Sequence, residues 1–300
     1  MGFIEVDSKS IYIEEYGKQH SRALVYFHGG PGGGCGYFAN QARELGQRYH
    51  VVSFDQYGAV RSGAIPEHEP FGMIDHVKLI DKMREALNIG SWIVLGHSYG
   101  GMLACLYADT YIDKTEAIIY ECPSLDLGLS TKSIASFFVP YFQQIDSKEG
   151  LDVCASILAD DTPDNKKLHD QLKNDLVPLV KDMKTQLYLH NISPEDFAIA
   201  TRATNMPEDS WHRTKTHCMK IAEAGEVYRS FLPYIDRIKR PSLLLVGRHD
   251  PVCGKYERDY FRHHSPNVKV VEFENSGHFP CVEEPDAYSR EIVQFIDTCI

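Results

Sequence analysis

The stretch Gly96-His97-Ser98-Tyr99-Gly100-Gly101 constrains this chain more than any other. The apolar run Trp92 to Leu95 precedes it, and a small-residue run suited to a helix follows. A serine in a G-x-S-x-G setting between a strand and a helix sits on a tight, strained turn. Gly96 and Gly100 are needed because a Cβ at either place would crowd that turn. The strain projects the hydroxyl from the carboxyl edge of a sheet. The helix start behind it favours developing negative charge. Ser98 is therefore the candidate nucleophile.

Such a turn needs a parallel sheet around it, and the flanking sequence supplies one. Residues 11–15 alternate polar and apolar, and short apolar runs recur at 23–27, 51–55, 92–95 and 117–120. Helical spacing is readable at 37–48, at 74–87 (Ile74, Val77, Ile80, Met83, Leu87) and from Met102 to Ala108. Short buried runs alternating with helices indicate a mostly parallel sheet covered on both faces. From about Leu125 to Ile238 the sequence turns charged and helix-like, with helices expected at 165–180 and 214–228. Strand signals resume at 241–246 and 268–273, with helices at 255–264 and 285–296. At 300 residues and 43% hydrophobic composition the chain can hold one sizeable core and an insertion. The expected organisation is an α/β core over residues 1–124 and 240–300, interrupted by a helical cap over 125–239.

A serine hydroxyl needs a base to take its proton. Asn275-Ser276-Gly277-His278-Phe279-Pro280 follows the strand at 268–273, and a loop after a parallel strand opens at the edge where Ser98 stands. His278 is the expected base. Leu243–Val246 leads into Gly247-Arg248-His249-Asp250, so Asp250 is the expected carboxylate that fixes the imidazole tautomer, with Asp126 as a substitute. His249, His263 and His264 read as local or surface histidines. His28-Gly29-Gly30-Pro31-Gly32-Gly33-Gly34 follows the strand at 23–27 and brings bare backbone N–H groups near the nucleophile. The N–H of Gly30, with Gly29 as alternative, should pair with that of Tyr99 as an oxyanion hole. No G-K-[S/T] follows, so the loop is not a phosphate cradle. His28 reads as a structural hydrogen-bonder.

These pieces, with Asp55-Gln56-Tyr57-Gly58 through Arg61-Ser62, resemble the proline iminopeptidase family of α/β-hydrolases, which includes the tricorn-interacting aminopeptidase. The Gly-x-Ser-Tyr-Gly form looks like the broader-specificity branch. Tyr57 stands where the family usually has Arg, and Val60 where it has a second Gly. The resemblance implies the α/β-hydrolase fold and release of N-terminal residues from small peptides through an acyl-enzyme. It also implies that acids hold the substrate's ammonium. The candidates are Glu226, shortly before the chain re-enters the core, then Glu208, and Glu121 at the end of the strand 117–120. The same triad would equally serve an esterase, amidase or lactonase of a small metabolite, because a fold and a triad do not choose a substrate.

Formal net charge is −11, from 31 basic and 42 acidic residues. That balance disfavours nucleic acid and anionic membrane surfaces as partners, leaving a small molecule or short peptide as the expected one. Met1 to Gly17 has no apolar core of a signal peptide, no run reaches membrane-spanning length, and the eight cysteines are scattered. A cytoplasmic location is expected. No cofactor or metal is expected, since the histidines fit no ligand pattern such as H-E-x-x-H. Cys35 and Cys281 lie close in sequence to the glycine loop and to His278, so thiol reagents are expected to inhibit.

Overall fold

In the computed structural model, which describes residues 1–202, 209–265 and 267–300, the first two strands form a hairpin. β1 (Gly2–Val6) and β2 (Lys9–Tyr16) pair antiparallel around Asp7 and Ser8. Both turn residues have positive φ, as a right-twisted hairpin with a two-residue turn demands. The sheet continues with β3 (Ala23–Phe27), β4 (His50–Phe54), β5 (Trp92–His97), β6 (Thr115–Glu121), β7 (Ser242–Gly247) and β8 (Val268–Phe273). Strand order across the eight-stranded sheet is β1-β2-β4-β3-β5-β6-β7-β8. β2 runs antiparallel to β4, and β3 through β8 are mutually parallel. Every residue of β3, β5 and β7 is buried, which explains why these strands read as unbroken apolar runs rather than alternating ones.

Helices cover both faces. α1 (Ala39–Leu45) packs on one face together with the C-terminal helix, through Phe38, Leu45, Tyr288, Ile292 and Phe295. α2 (Met73–Ala86) and α3 (Tyr99–Thr110) cover the other through Val77, Ile80, Met102 and Leu103. Between β6 and β7 the described residues form no strand. They build α4 (Leu127–Gln144), α5 (Lys148–Ala159), α6 (Asn165–Gln171), α7 (Val177–Leu179), α8 (Pro194–Ala200), α9 (Ser210–Ala224) and α10 (Leu232–Arg237). This block has a core of its own, with Ile134, Phe138, Phe142, Ile157 and Leu168 at its centre. α11 (Lys255–His264), α12 (Pro280–Glu283) and α13 (Pro285–Cys299) complete the chain. Among the described residues no helix is long and apolar enough to cross a membrane.

Three helices differ from the expectation for physical reasons. The helix expected at 165–180 breaks after Gln171 into a π-helical turn, Leu172–Leu176, because Pro178 has no N–H to give and its ring crowds the carbonyl four residues back. The one expected at 214–228 starts earlier and stops at Gly225, whose φ of 76° closes the helix in the left-handed region. The one expected at 37–48 shortens to α1 after a 3₁₀ turn at Cys35–Phe38.

Candidate active site

Ser98 bridges β5 and α3 with φ 53° and ψ −120°, a conformation that costs a non-glycine residue about 1–3 kcal/mol and persists only where its surroundings enforce it. The enforcement is visible. The Ser98 N–H donates to the Glu121 carbonyl at 3.0 Å, and its own carbonyl accepts from Gly101 N at 2.8 Å. A Cβ on Gly96 would run into the Gly100 carbonyl, and one on Gly100 into that of Phe27. The turn therefore fits between β3 and β5 only with glycine at both places.

Asp250 and His278 follow β7 and β8. Asp250 Oδ1 lies 3.0 Å from His278 Nδ1, with both residues buried. The backbone N–H groups of Val252 and Cys253 donate to the two carboxylate oxygens at 2.8 and 3.2 Å. Burial pushes the Asp250 carboxyl up, but the imidazole and these hydrogen bonds outweigh it and hold the group below the usual carboxylate range. The His278 backbone N–H donates to Tyr188 O at 2.8 Å, and Glu283 accepts from Gly277 N at 2.6 Å, so the loop carrying the imidazole is held at two points. Among the described residues no hydrogen bond joins Ser98 Oγ to this ring, though both residues line one cavity. Such bonds are often long without substrate and tighten in the Michaelis complex. Asp126, the alternative carboxylate, instead caps α4, accepting from Leu129 N at 3.0 Å.

The glycine loop lies against the nucleophile: a Cβ on Gly29 would sit 3.0 Å from Ser98 Cβ and 2.8 Å from the His97 ring. Gly30 has φ 127°, open only to glycine at low cost. Tyr99 is the first residue of α3, so its N–H has no carbonyl one turn back and is a spare donor. Two braces fix the loop. His28 Nε2 accepts from Gln56 N at 3.0 Å while Gln56 Nε2 donates to His28 O at 2.9 Å. Asp55 accepts from Cys35 N at 2.8 Å and pairs with Arg61 through two bonds at 2.6 and 2.9 Å. Residues 57–60, where the chain departs from the usual sequence of the family it resembles, are the docking point of α9. His217 Nδ1 bonds Tyr57 O at 2.9 Å, and the Arg213 guanidinium donates to Val60 O at 3.0 and 2.7 Å.

Two cavities meet at Ser98. One, of about 270 Å³, lies between core and helical block and is bounded by Gly30, Ser98, Tyr99, Leu127, Thr131 and Ile221, among others. The other, of about 660 Å³, holds His278, His97, Phe279, Phe197 and Trp211, with Trp211 75% exposed at its mouth.

Of the three acids expected to hold an ammonium, two lie among the described residues, and neither lines a cavity at Ser98. Glu226 does not line either cavity. The turn at Gly225 points it at the start of α2, where Oε2 accepts from Met73 N at 2.6 Å and Ile74 N at 3.3 Å. It satisfies free helix donors there, and the helix dipole favours its charge. Glu121 lies under the site rather than in it. It is fully buried on the α13 side of β6, with Oε1 3.2 Å from Cys281 N and Oε2 3.5 Å from His97 Nδ1. Burial pushes its carboxyl up to about 7. Glu208 falls outside the described residues. An acid that the sequence analysis did not single out, Asp170 at the end of α6, lines the smaller cavity; its carboxylate bonds Lys166 Nζ at 2.6 Å. Lys173, one turn on, lines the same cavity.

Among the described residues, Cys122, Asp250 and His278 bring three potential metal-binding atoms within 4.8 Å. Their chemistry does not favour an ion. Asp250 and the His278 Nδ1 are committed to each other, and burial holds the Cys122 thiol well above its ordinary pKa while Gly247 N donates to it at 3.4 Å.

A family model described as alpha/beta hydrolase fold matches residues 22–285. A proline iminopeptidase from Xylella fastidiosa (strain Temecula1 / ATCC 700964) is 38% identical over 113 residues, which is 38% of this chain and 36% of that protein. The match thus spans about a third of that relative's length. A proline iminopeptidase from Heyndrickxia coagulans is 23% identical over 99% of this chain and 98% of its own. The solved structure of a proline iminopeptidase-related protein from Thermus thermophilus superposes with a TM-score of 0.75 at 20% identity, covering 100% of this chain and 97% of that one.

Proposed function

The chain belongs to the alpha/beta hydrolase fold family, and on that premise we propose that it is a serine hydrolase working through Ser98, His278 and Asp250. The observation that carries this reading is the buried 3.0 Å pairing of Asp250 Oδ1 with His278 Nδ1, on a cavity that Ser98 shares. Asp250 accepts a hydrogen bond from Nδ1–H, which keeps the proton on Nδ1 and leaves Nε2 as the basic nitrogen. His278 takes the Ser98 proton as Oγ attacks the substrate carbonyl. The Gly30 and Tyr99 N–H groups receive the oxyanion. His278 then gives its proton to the leaving atom, and water attacks the acyl-enzyme by the same route in reverse. The helical block over residues 125–239 acts as the cap that encloses the acyl side of the site.

Within that chemistry the reaction is release of an N-terminal residue from a short peptide, in keeping with the resemblance and with the proline iminopeptidases among the relatives. Asp170 is the carboxylate available to the substrate's ammonium. One observation favours a second reading, an esterase or amidase for uncharged acyl groups: Asp170 is already bonded to Lys166, and Lys173 brings a positive charge to the same wall. The test compares unblocked aminoacyl arylamides with their N-acetyl forms and a short-chain p-nitrophenyl ester, with Ser98→Ala as blank. Turnover that acetylation abolishes supports the aminopeptidase; turnover of the ester alone supports the second reading. Rates unchanged in Ser98→Ala overturn the mechanism.

A further inference from the structure

The two cavities at Ser98 divide a substrate between them. Of the two, Asp170 and Tyr99 line only the smaller one, and His278 lines only the larger. In an acyl transfer the base hands its proton to the leaving atom, so the leaving group stands on the base's side of the serine. The aminoacyl group, whose ammonium needs Asp170, therefore enters the smaller cavity. The residue that leaves with the new amine occupies the larger one.

That larger cavity is walled by rings from four separate segments. Tyr37 comes from the turn behind the glycine loop, Phe279 from the loop of the base, Phe197 from α8 and Trp211 from the first turn of α9. Phe197 and Phe279 meet edge to face, with centroids 4.8 Å apart and planes at 61°. Tyr37 lies 5.4 Å from Phe279 and 6.1 Å from Phe197. The His97 ring lies 4.6 Å from Phe279, and burial holds its imidazole well below the ordinary pKa, so it adds a neutral ring to the same wall. These rings are within reach of a ligand: Tyr37 and Phe197 are partly exposed, and Trp211 is 75% exposed at the mouth. A large exposed ring beside a catalytic serine is apolar surface that a bound group can take out of water. Ring pairs gain more than their buried area alone, because the edge of one is drawn to the face of another. Such a wall therefore favours an aromatic side chain over an aliphatic one of similar size. Among the described residues that line this cavity none is Asp, Glu, Lys or Arg.

We infer that the larger cavity is a leaving-group subsite for an aromatic residue, with Trp211 and Phe197 as the side chains that select it. The inference rests on the aminopeptidase reading and adds to it the residue after the cut bond: the preferred substrate is a short peptide whose second residue is aromatic.

The test compares alanyl-phenylalaninamide, alanyl-leucinamide and alanyl-glycinamide, amides that bring no carboxylate into the cleft. The wild-type chain is expected to favour the phenylalanine substrate over the glycine one about tenfold in kcat/KM, the equivalent of about 1.4 kcal/mol, with leucine below phenylalanine. Trp211→Ala, at a position exposed enough to keep the fold, is expected to bring the phenylalanine-to-glycine ratio close to one. Phe197→Leu, which keeps bulk and removes the ring, is expected to lower it too. Tyr256→Ala removes a ring that is 62% exposed outside both cavities, and should leave the ratio unchanged. If leucine matches phenylalanine, or if the ratio survives in both Trp211→Ala and Phe197→Leu, the subsite is wrong while peptide turnover keeps the aminopeptidase reading. If esters react and neither peptide amides nor free-amine arylamides do, the aminopeptidase reading fails, and benzyl acetate against ethyl acetate puts the same question. A benzyl preference that falls in Trp211→Ala then sustains the subsite, and a preference that does not fall overturns it. No turnover of any of these substrates overturns both.

Discussion

Replacing Glu121 by Gln should change how stability depends on pH, and the size of the change follows from where the side chain lies. Glu121 is fully buried among His97, Cys281, Tyr26 and Tyr288, and burial lifts its carboxyl from the ordinary 4.5 to about 7. The acid is thus easier to ionise in the unfolded chain than in the folded one. A carboxyl whose pKa is raised by folding adds stability at low pH, in full below about 4.5, and that stability drains away as pH rises through about 7. With 1.36 kcal/mol for each unit of difference, the wild type should lose about 2.5 kcal/mol from this one group between pH 5 and pH 8. Gln cannot ionise, so Glu121→Gln lacks the loss. Its stability relative to wild type should therefore rise by that amount over the same interval. Whatever the substitution does to the contact with Cys281 N is common to both pH values and cancels. Urea unfolding of both proteins at pH 5 and pH 8 measures the difference directly. Stability curves that stay parallel within about 0.5 kcal/mol would refute the reasoning, since Glu121 would then be titrating alike in both states.

Asp250→Asn should retain the fold and lose on the order of 10⁴ in kcat, because the amide turns the imidazole to the wrong tautomer; ester turnover beside a Tm measurement checks it. Gly100→Ala should fail to give folded protein, since its methyl meets the Phe27 and His28 carbonyls; soluble yield and circular dichroism report it. Glu226→Gln should cost about 1 kcal/mol of stability by weakening the cap on α2, and leave the ratio of free to acetylated arylamide turnover unchanged. A collapse of that ratio would restore Glu226 as an ammonium ligand. Against the inhibition expected from the sequence, iodoacetamide should modify the exposed Cys299 first and without loss of activity, while Cys35 and Cys281, buried and with thiols pushed well above their ordinary pKa, react only on unfolding; peptide mass mapping against time settles the order.

Ser98, Asp250 and His278 could be nominated from the sequence because each follows the end of a parallel strand, and backbone rules alone bring such positions to one edge. The sheet was legible for a related reason: the runs Ala23–Phe27, Trp92–Leu95 and Leu243–Val246 are unbroken apolar stretches, as strands buried on both faces require. The direction of Glu226 was not legible. It depends on the positive φ of Gly225 and on the start of α2, which lies 153 residues earlier. Glu121 was partly legible. It continues the alternation Ala117, Ile119 on β6, and both of those face the α13 side of the sheet, so strand parity already argued against the cavity. Asp170 had no sequence signal, because its place on the cavity wall is set by the break at Leu172–Leu176. Long-range side-chain geometry is where one sequence stops informing.

The docking of α9 has a consequence for how this molecule can be altered. Thr214 and Cys218 would both meet a Cβ placed on Gly32, and Cys218 Sγ bonds Pro31 O at 3.1 Å, while Arg213 and His217 of the same helix hold the carbonyls of Val60 and Tyr57. One helix thus fastens the segments that shape the oxyanion loop. A chimera that exchanged residues 125–239 for those of another hydrolase would bring new walls to the cavity between core and helical block but strip the glycine loop of its outer support. Specificity and rate would then fall together, even though every residue of the triad remained in place. Redesign of this protein's substrate range should accordingly proceed from α4 and α6, keeping α9 as a fixed part of the core machinery.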